Sequence, residues 1–597
     1  MICLVIAWVA LAAATFPVGY QLCSRLGFPR GARGDDSIFL SIWIGTGALA
    51  LAAFAAAFLL PLSPGVSAFL GIAFLMAWAA RGARKIACEG LSYVFSQFRV
   101  EVFLIPIAVA FVCTKPINWY DTGLYHLQLM KWLREFGLVN GIALVQHRFG
   151  YVSSWFAFSA LLSSPVPAGR LVAAGNSFIF LVALAQAYVS SRRIAQGSAT
   201  SADTFLVFTF VPILSVALAA EMFNSTSPDL PVAFTLALIP WFIFLELDSP
   251  ITSRAEPKRR VAFLSALMLG FIAWSFKLSA APAVLFTAAL VLYRSSSRLR
   301  SMTSIAVLGS FFLIPLVAAG YISSGCPFLP STIGCLETPW SLPHESVSEL
   351  APLIHDWALW HGKPPTTHSQ LGLMAHFVIT SPGTSAVVVL NVLCLGLLII
   401  RWAGTTTNKA YLYVSCFGAM GVLFTVVTAP TIRFMLGFAF VLPALSAVVF
   451  LERAINRGRI VAVLRGRVFV PASIVMALLL RFFLPPTFRI QYLPAEQEVS
   501  RLVAPPVIGI PGLKVQRGPG GLENIYAPEL TDQCWNAPIP CAPPQELLAR
   551  LRLRNSSQGL RAGFIRPQLK RHDVGSQLRG DNAASNQLIS QPSLTSR

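Results

Sequence analysis

SIFLSIWIGTGALALAAFAAAFLL, residues 37–60, runs for 24 residues without a charged side chain. An α-helix of that length is about 36 Å long, enough to cross a hydrocarbon core of roughly 30 Å. Comparable apolar runs, bounded by charge or by Gly/Pro clusters, recur along the chain. Helices are expected near residues 1–22, 37–60, 66–82, 101–115, 168–190, 204–220, 231–247, 261–280, 281–293, 303–323, 384–401, 410–428, 434–451 and 469–484. That makes about fourteen spans by the length rule. Composition points the same way: 55% of the 597 residues are hydrophobic and 12% charged, too little polar surface to coat a soluble protein. The runs do not alternate with period two, which excludes a membrane barrel. The expected fold is an all-α integral membrane protein, a polytopic bundle over 1–484 with a small C-terminal extension.

Orientation follows from Lys and Arg in the short loops, which stay in the cytoplasm. Arg25, Arg30 and Arg33, then Arg81, Arg84 and Lys85, then Arg192 and Arg193, then Lys258, Arg259 and Arg260, then Arg294 to Arg300, then Arg401 and Lys409, and finally Arg453 to Arg467 fall in alternate loops. Both termini then face outward across a bacterial-type inner (cytoplasmic) membrane, and the first helix reads as an uncleaved anchor. The eight histidines agree, all falling in segments assigned outside: His126, His147, His344, His355, His361, His368, His376 and His572. So do two close cysteine pairs, Cys326 with Cys335 and Cys534 with Cys541, placed where an oxidising compartment permits disulfides. Zinc is the other reading of these cysteines, but neither pair has a CxxC spacing.

The net charge of +20 does not imply nucleic acid, because most of the excess sits in the topology-setting loops and no basic patch is interleaved with aromatics. Residues 485–554 form a Pro/Gly-rich extension carrying the second cysteine pair, and 555–597 read as disordered.

Function is most legible in the outer loop 116–167. In KPINWYDTGLYHLQLMKWLREF, residues 115–136, Tyr125, Leu129, Trp132 and Phe136 recur at helical spacing opposite Gln128, Lys131 and Glu135. This predicts an amphipathic juxtamembrane helix with its apolar face in the headgroup boundary. A second short helix is expected near 150–163, after His147 and Arg148. Asp121 stands just before the first helix, either as an N-cap or as a reactive carboxylate. His126 and His147 are interfacial side chains or ligands, and Arg148 suits phosphate. Asp229, in SPDLP, is a turn residue or a second carboxylate. Lys277, in FKLS, and Arg433, in APTIRF, are charges at the mouths of apolar runs, where a charge is costly and faces a cavity, a partner or, by snorkelling, the surface. The long outer loop 324–383 carries Trp340, Trp357 and Trp360, flat faces for sugar or lipid.

The pattern W-Y-D-x-x-x-Y-H followed by an amphipathic helix, H-R-x-G and S-S-W-F resembles the first outer loop of GT-C glycosyltransferases, including the protein O-mannosyltransferase group. SPDLP, FKLS, SGCPFLPS, APTIRF and CWNAPIPCAP resemble a family of bacterial multi-spanning proteins without settled activity. In GT-C enzymes of the mannosyltransferase type the acidic loop follows the first helix and often holds two adjacent acids. Here it follows the fourth, and Asp121 lies between Tyr120 and Thr122.

The resemblance implies transfer of a sugar from a polyprenyl-phosphate donor to an envelope glycan, lipid or protein acceptor. It makes Asp121 the base, gives Tyr125, His126, His147, Arg148 and Asp229 to substrate binding, and sets Lys277 and Arg433 on the donor phosphate. No particular cofactor follows; as a second carboxylate Asp229 either orients the acceptor or holds a divalent metal. A transporter or flippase of a lipid-linked sugar, or a scaffold subunit, is the competing expectation; the gathering of polar groups at the outer interface, with no internal repeat, favours the enzyme.

Overall fold

The computed structural model describes residues 1–29, 31–97, 101–163, 169–247, 256–295, 297–361, 369–402, 408–456, 501–516, 522, 524–543 and 551–566. The helices in chain order are α1 (Ile2–Leu26), α2 (Gly34–Ala56), α3 (Pro64–Leu75), α4 (Arg81–Gln97), α5 (Glu101–Cys113), α6 (Leu127–Glu135), α7 (Ser154–Leu162), α8 (Ala174–Gln196), α9 (Ser201–Ala219), α10 (Asp229–Leu247), α11 (Glu256–Phe276), α12 (Ala281–Arg294), α13 (Arg298–Ser324), α14 (His344–Trp360), α15 (Gln370–Thr380), α16 (Pro382–Trp402), α17 (Lys409–Thr428), α18 (Ile432–Ala439) and α19 (Val441–Asn456).

The chain is a multi-pass, mostly helical membrane protein. Among the described residues nine stretches are long and apolar enough to span: α1, α2, α8, α9, α10, α13, α16, α17 and Ile432–Phe450. A tenth results if Pro64–Ala79 and Arg81–Gly90, bent by 88°, count as one. Three further expected spans are represented by shorter apolar helices, Phe103–Cys113, Phe263–Phe276 and Leu278–Arg294. The last two are separate because the backbone turns extended at Lys277 (φ −156°, ψ 132°), which ends α11. The expected helix at 469–484, together with His368 and His572, lies outside the described residues.

Two compact units partition the chain. The first comprises Met1–Gly137, Ser153–Leu316 and Ser381–Gly509. Here α1 and α2 pack backbone to backbone: a Cβ on Gly19 would fall 1.8 Å from the Ser41 carbonyl oxygen, and one on Gly45 1.9 Å from that of Thr15. Only glycine permits that approach, the usual means of close helix packing in lipid. α10 is enclosed by α9, α11, α17 and α18, and every residue from Asp229 to Glu246 is buried. Its N-terminus thereby becomes a fixed internal point.

At the far ends of α8 and α9 lies an ionic clasp. Arg193 pairs with Asp35, with Asp36 (2.9 Å) and with Asp203 (2.6 Å), and Arg33 reaches Asp203 at 3.2 Å. Asp203 also closes a capping box with Thr200, accepting from the Thr200 N–H at 2.8 Å. Arg33 and Arg193, assigned from sequence to loop charge, are bound to carboxylates that start α2 and α9.

The helix at 127–135 forms, but its apolar face does not meet lipid. Leu129, Met130, Trp132 and Leu133 are buried, and so is Gln128, which the periodicity set on the polar face. α6 packs against α7, whose Trp155, Phe156 and Phe158 are themselves buried and supply the apolar partner.

The second unit comprises Leu138–Val152, Val317–Thr380 and Ile510–Arg597. Cys326 pairs with Cys335 and Cys534 with Cys541 at disulfide distance, the latter two buried with Ala537 against Leu513 and Tyr526. Strands β1 (Leu513–Gln516) and β2 (Ile525–Pro528) pair antiparallel, as do β3 (Arg552–Leu553) and β4 (Phe564–Ile565). The tail expected to be disordered from 555 is ordered to 566. Phe564 is fully buried and its N–H donates to the Asn140 carbonyl at 2.8 Å, while Arg554 lies over the Trp340 ring at 5.4 Å. Residues 567–597 lie outside the described residues.

Candidate functional site

Four of the residues singled out from sequence converge within the first unit. Asp229 is the first residue of α10, Lys277 follows the last residue of α11, and Arg433 is the second residue of α18. Each therefore sits at a helix end. The Thr431 hydroxyl caps α18 by accepting from the Arg433 N–H at 3.2 Å, which fixes where the guanidinium starts. Arg433 Nε donates to Asp229 Oδ2, and its Nη2 donates to Asp121 Oδ2. Lys277 Nζ donates to Asp229 Oδ1, and the Ser227 hydroxyl donates to Asp229 Oδ2 at 2.7 Å. The ammonium also lies 3.8 Å from the centre of the Phe434 ring, and the guanidinium 5.2 Å from that of Trp119. Both are cation–π distances.

Two carboxylates thus face two cations, and the tetrad is neutral. Its members are not equivalent: the Asp229 side chain is 1% exposed, whereas Asp121, Lys277 and Arg433 retain 18%, 22% and 23%. Asp229 is the inner counter-ion that holds both cations. Asp121 is the outer carboxylate, tied by one arm of Arg433.

Asp121 is not a helix cap, because its side chain accepts no capping hydrogen bond. Past it the chain makes one wide π-helical turn, Thr122–His126, before α6, closed by the Leu127 N–H on the Thr122 carbonyl. Such turns re-aim side chains and recur at functional sites. Burial pushes the Asp121 carboxyl up, but the neighbouring Arg433 outweighs it and holds the group below the usual carboxylate range.

His126 is fully buried. Its Nδ1 lies 3.4 Å from the Thr122 hydroxyl and 3.2 Å from that of Thr226, its Nε2 makes no hydrogen bond among the described residues, and its ring packs 4.3 Å from Tyr125 and 4.9 Å from Phe156. Burial drives its pKa down to about 3, with Asp121 opposing and Arg433 reinforcing the shift. The imidazole is neutral at pH 7.

A stability prediction follows. Between about 6.5, the unfolded value, and about 3, the unfolded chain binds one more proton than the folded one. The contribution is present above 6.5 and is lost as pH falls, at up to about 1.4 kcal/mol per pH unit. His126→Gln, which cannot titrate, is expected to flatten the fall of the unfolding midpoint between pH 6.5 and 4. Identical slopes in variant and wild type would show that His126 is not responsible. Asp121, with its depressed pKa, begins to act only below about pH 5 and is present in both proteins, so the difference in slope above about pH 5 reports His126.

Tyr125 is half-buried, with its ring edge against His126 and Phe156. His147 and Arg148 fall in the second unit, on the turn His147–Gly150, where the His147 ring meets Tyr151 at 6.2 Å. The residues missed by sequence reading are small: Thr122, Thr226 and Ser227, together with Asn176, whose amide donates to the Ser227 carbonyl at 2.9 Å and fixes the segment before α10.

Of the two roles open to Asp229 as a second carboxylate, holding a divalent metal does not fit this arrangement. Both of its oxygens are engaged by cationic donors that would repel a dication, and among the described residues no three His, Cys, Asp or Glu side chains gather to hold one.

Fold and site together define a polytopic membrane protein with a neutral ionic tetrad at the ends of its helices. The chain belongs to the family described as Domain of unknown function (DUF8201), which matches residues 1–440 and so includes all four tetrad residues. No curated protein and no solved structure matches it.

Proposed function

We propose that this protein is a GT-C-like glycosyltransferase that moves a sugar from a polyprenyl-phosphate donor to an envelope acceptor on the extracytoplasmic side of a bacterial inner membrane. The observation that carries the reading is the convergence of Asp121, Asp229, Lys277 and Arg433, from four separate segments, at the ends of apolar helices. Inverting transfer needs a base for the acceptor and positive charge for the departing phosphate. The acceptor oxygen attacks the anomeric carbon as its proton passes to Asp121. The bond between that carbon and the phosphate oxygen breaks, and the electron pair leaves with the phosphate, which Arg433 and Lys277 receive. Asp229 keeps those cations oriented between turnovers.

Sidedness rests on the basic loops. α9, about 28 Å long, has the tetrad side at its C-terminus and the Arg33/Arg193 clasp at its N-terminus, next to the Arg-rich loops. About fourteen crossings with both termini outside fit that alternation.

One observation favours a second reading, transport of a lipid-linked sugar without transfer: the tetrad is closed and charge-matched, as a gate that exchanges ion pairs would be. Purified protein in proteoliposomes with polyprenyl-phosphate sugars separates the two. Transfer to acceptor, reduced by Arg433→Met more steeply than membrane abundance, is the expected result. Donor movement across the bilayer without new glycosidic product would replace the enzyme by the transporter.

A further inference from the structure

In the second unit, α15 (QLGLMAHFVIT) contains no charged side chain, and none of its eleven residues is buried. Its large hydrophobics Leu371 (82%), Met374 (65%), Val378 (53%) and Ile379 (77%) are exposed, as is Ala375. They follow i, i+3, i+4, i+7 and i+8, the spacing of a single helix face. The other face is half-buried, and its His376 ring lies 5.6 Å from Trp360 of α14. On α14, Leu353 (59%) and Trp357 (48%) stand one turn apart and are exposed as well. An apolar stripe on a surface helix is one that something covers.

Chain length identifies what covers it. α15 is about 16 Å long, half of what a crossing needs. Only Ser381 separates Thr380 from Pro382, which begins the spanning helix α16. Together Gln370–Trp402 would extend about 50 Å as one rod, far beyond the roughly 30 Å of hydrocarbon. The extra length either stands in water with its stripe bare or lies along the membrane surface with the stripe in acyl chains. Hydrophobic burial favours the second. Trp357 and Trp360, next to α15 through the Trp360–His376 contact, are of the residue type enriched at that depth.

We propose that α15 and the C-terminal half of α14 form an interfacial docking face for the phospholipid of the bilayer itself, with Leu371, Met374, Ala375, Val378 and Ile379 inserted among the acyl chains. The element is a lateral anchor that ties the second unit to the membrane surface. It does not depend on the glycosyltransferase reading.

The test uses the full-length protein in phosphatidylcholine vesicles, with a benzophenone amino acid replacing Met374 or Val378 and, as control, Glu345 at the start of α14. All three positions are exposed, so the replacements are tolerated, and an unchanged size-exclusion profile checks this. After irradiation, mass spectrometry is expected to find phospholipid adducts at 374 and 378 and none at 345. Cross-linked dimers at 374 and 378 would assign the face to a second copy, and an absence of lipid adducts would place the helix in water; either overturns the proposal.

Discussion

Replacing Asp121 by asparagine is expected to leave the protein folded and at normal abundance in the membrane while lowering sugar transfer by about 10²–10⁴-fold, the usual cost of losing a general base. The structure makes this a clean substitution. Asp121 accepts no capping bond, so no helix end depends on its carboxylate. The amide of asparagine still offers Arg433 an acceptor oxygen, and Asp229 keeps its pairs with Lys277 and Arg433. What disappears is the capacity to take a proton. The experiment compares membrane abundance and transfer by reconstituted protein with a donor that the wild type uses. Wild-type transfer by the variant would leave Asp121 as a partner of Arg433 and nothing more. A fall in abundance matching the fall in transfer would show that its role is structural.

The four members of the tetrad were legible in the sequence on two grounds: Lys277 and Arg433 because a charge at the mouth of an apolar run is costly and demands a partner, Asp121 and Asp229 because each is a carboxylate at a helix start or turn in an outer segment. The partners were not legible. Lys277 and Arg433 were assigned to a phosphate, yet Asp229 and Asp121 take them up, because nothing in the linear order shows that residues 229 and 433 meet. The hydroxyls of Thr122, Thr226 and Ser227 carry no signal either, since an isolated Ser or Thr looks alike in a turn and in a site. Periodicity located α6 but not its surroundings: a stripe of Leu129 and Trp132 fits lipid and protein equally, and α7 decided for protein. α15 escaped notice because a helix of eleven residues is too short for the span rule and lies inside a stretch read as a loop. Hydropathy likewise could not foresee that α11 ends at Lys277, where the backbone turns extended and the side chain is drawn to Asp229.

Asp229→Asn is expected to be the most destabilising single change in the site, by about 3–5 kcal/mol, the range for breaking a buried ion pair by removing one partner. Asp229 is 1% exposed and is the common acceptor for Lys277, Arg433 and the Ser227 hydroxyl. Neutralising it leaves two cations facing the single charge of Asp121, a net +1 in a pocket where water cannot fully compensate. Were the loss caused by the missing shape of the carboxylate, no second change in charge would restore it. Were it caused by unbalanced charge, Lys277→Met in the same chain would return the cluster to neutrality and recover much of the stability, a coupling that a double-mutant cycle reads directly. The measurement is the thermal unfolding midpoint in detergent at pH 7.5, where His126 is neutral and does not contribute. The expected order is wild type highest, Asp229→Asn lowest, and the double variant between them, above Lys277→Met plus Asp229→Asn taken additively. An Asp229→Asn protein as stable as wild type would show that the cations are solvated without it, and the inner position of Asp229 in the tetrad would lose its energetic meaning.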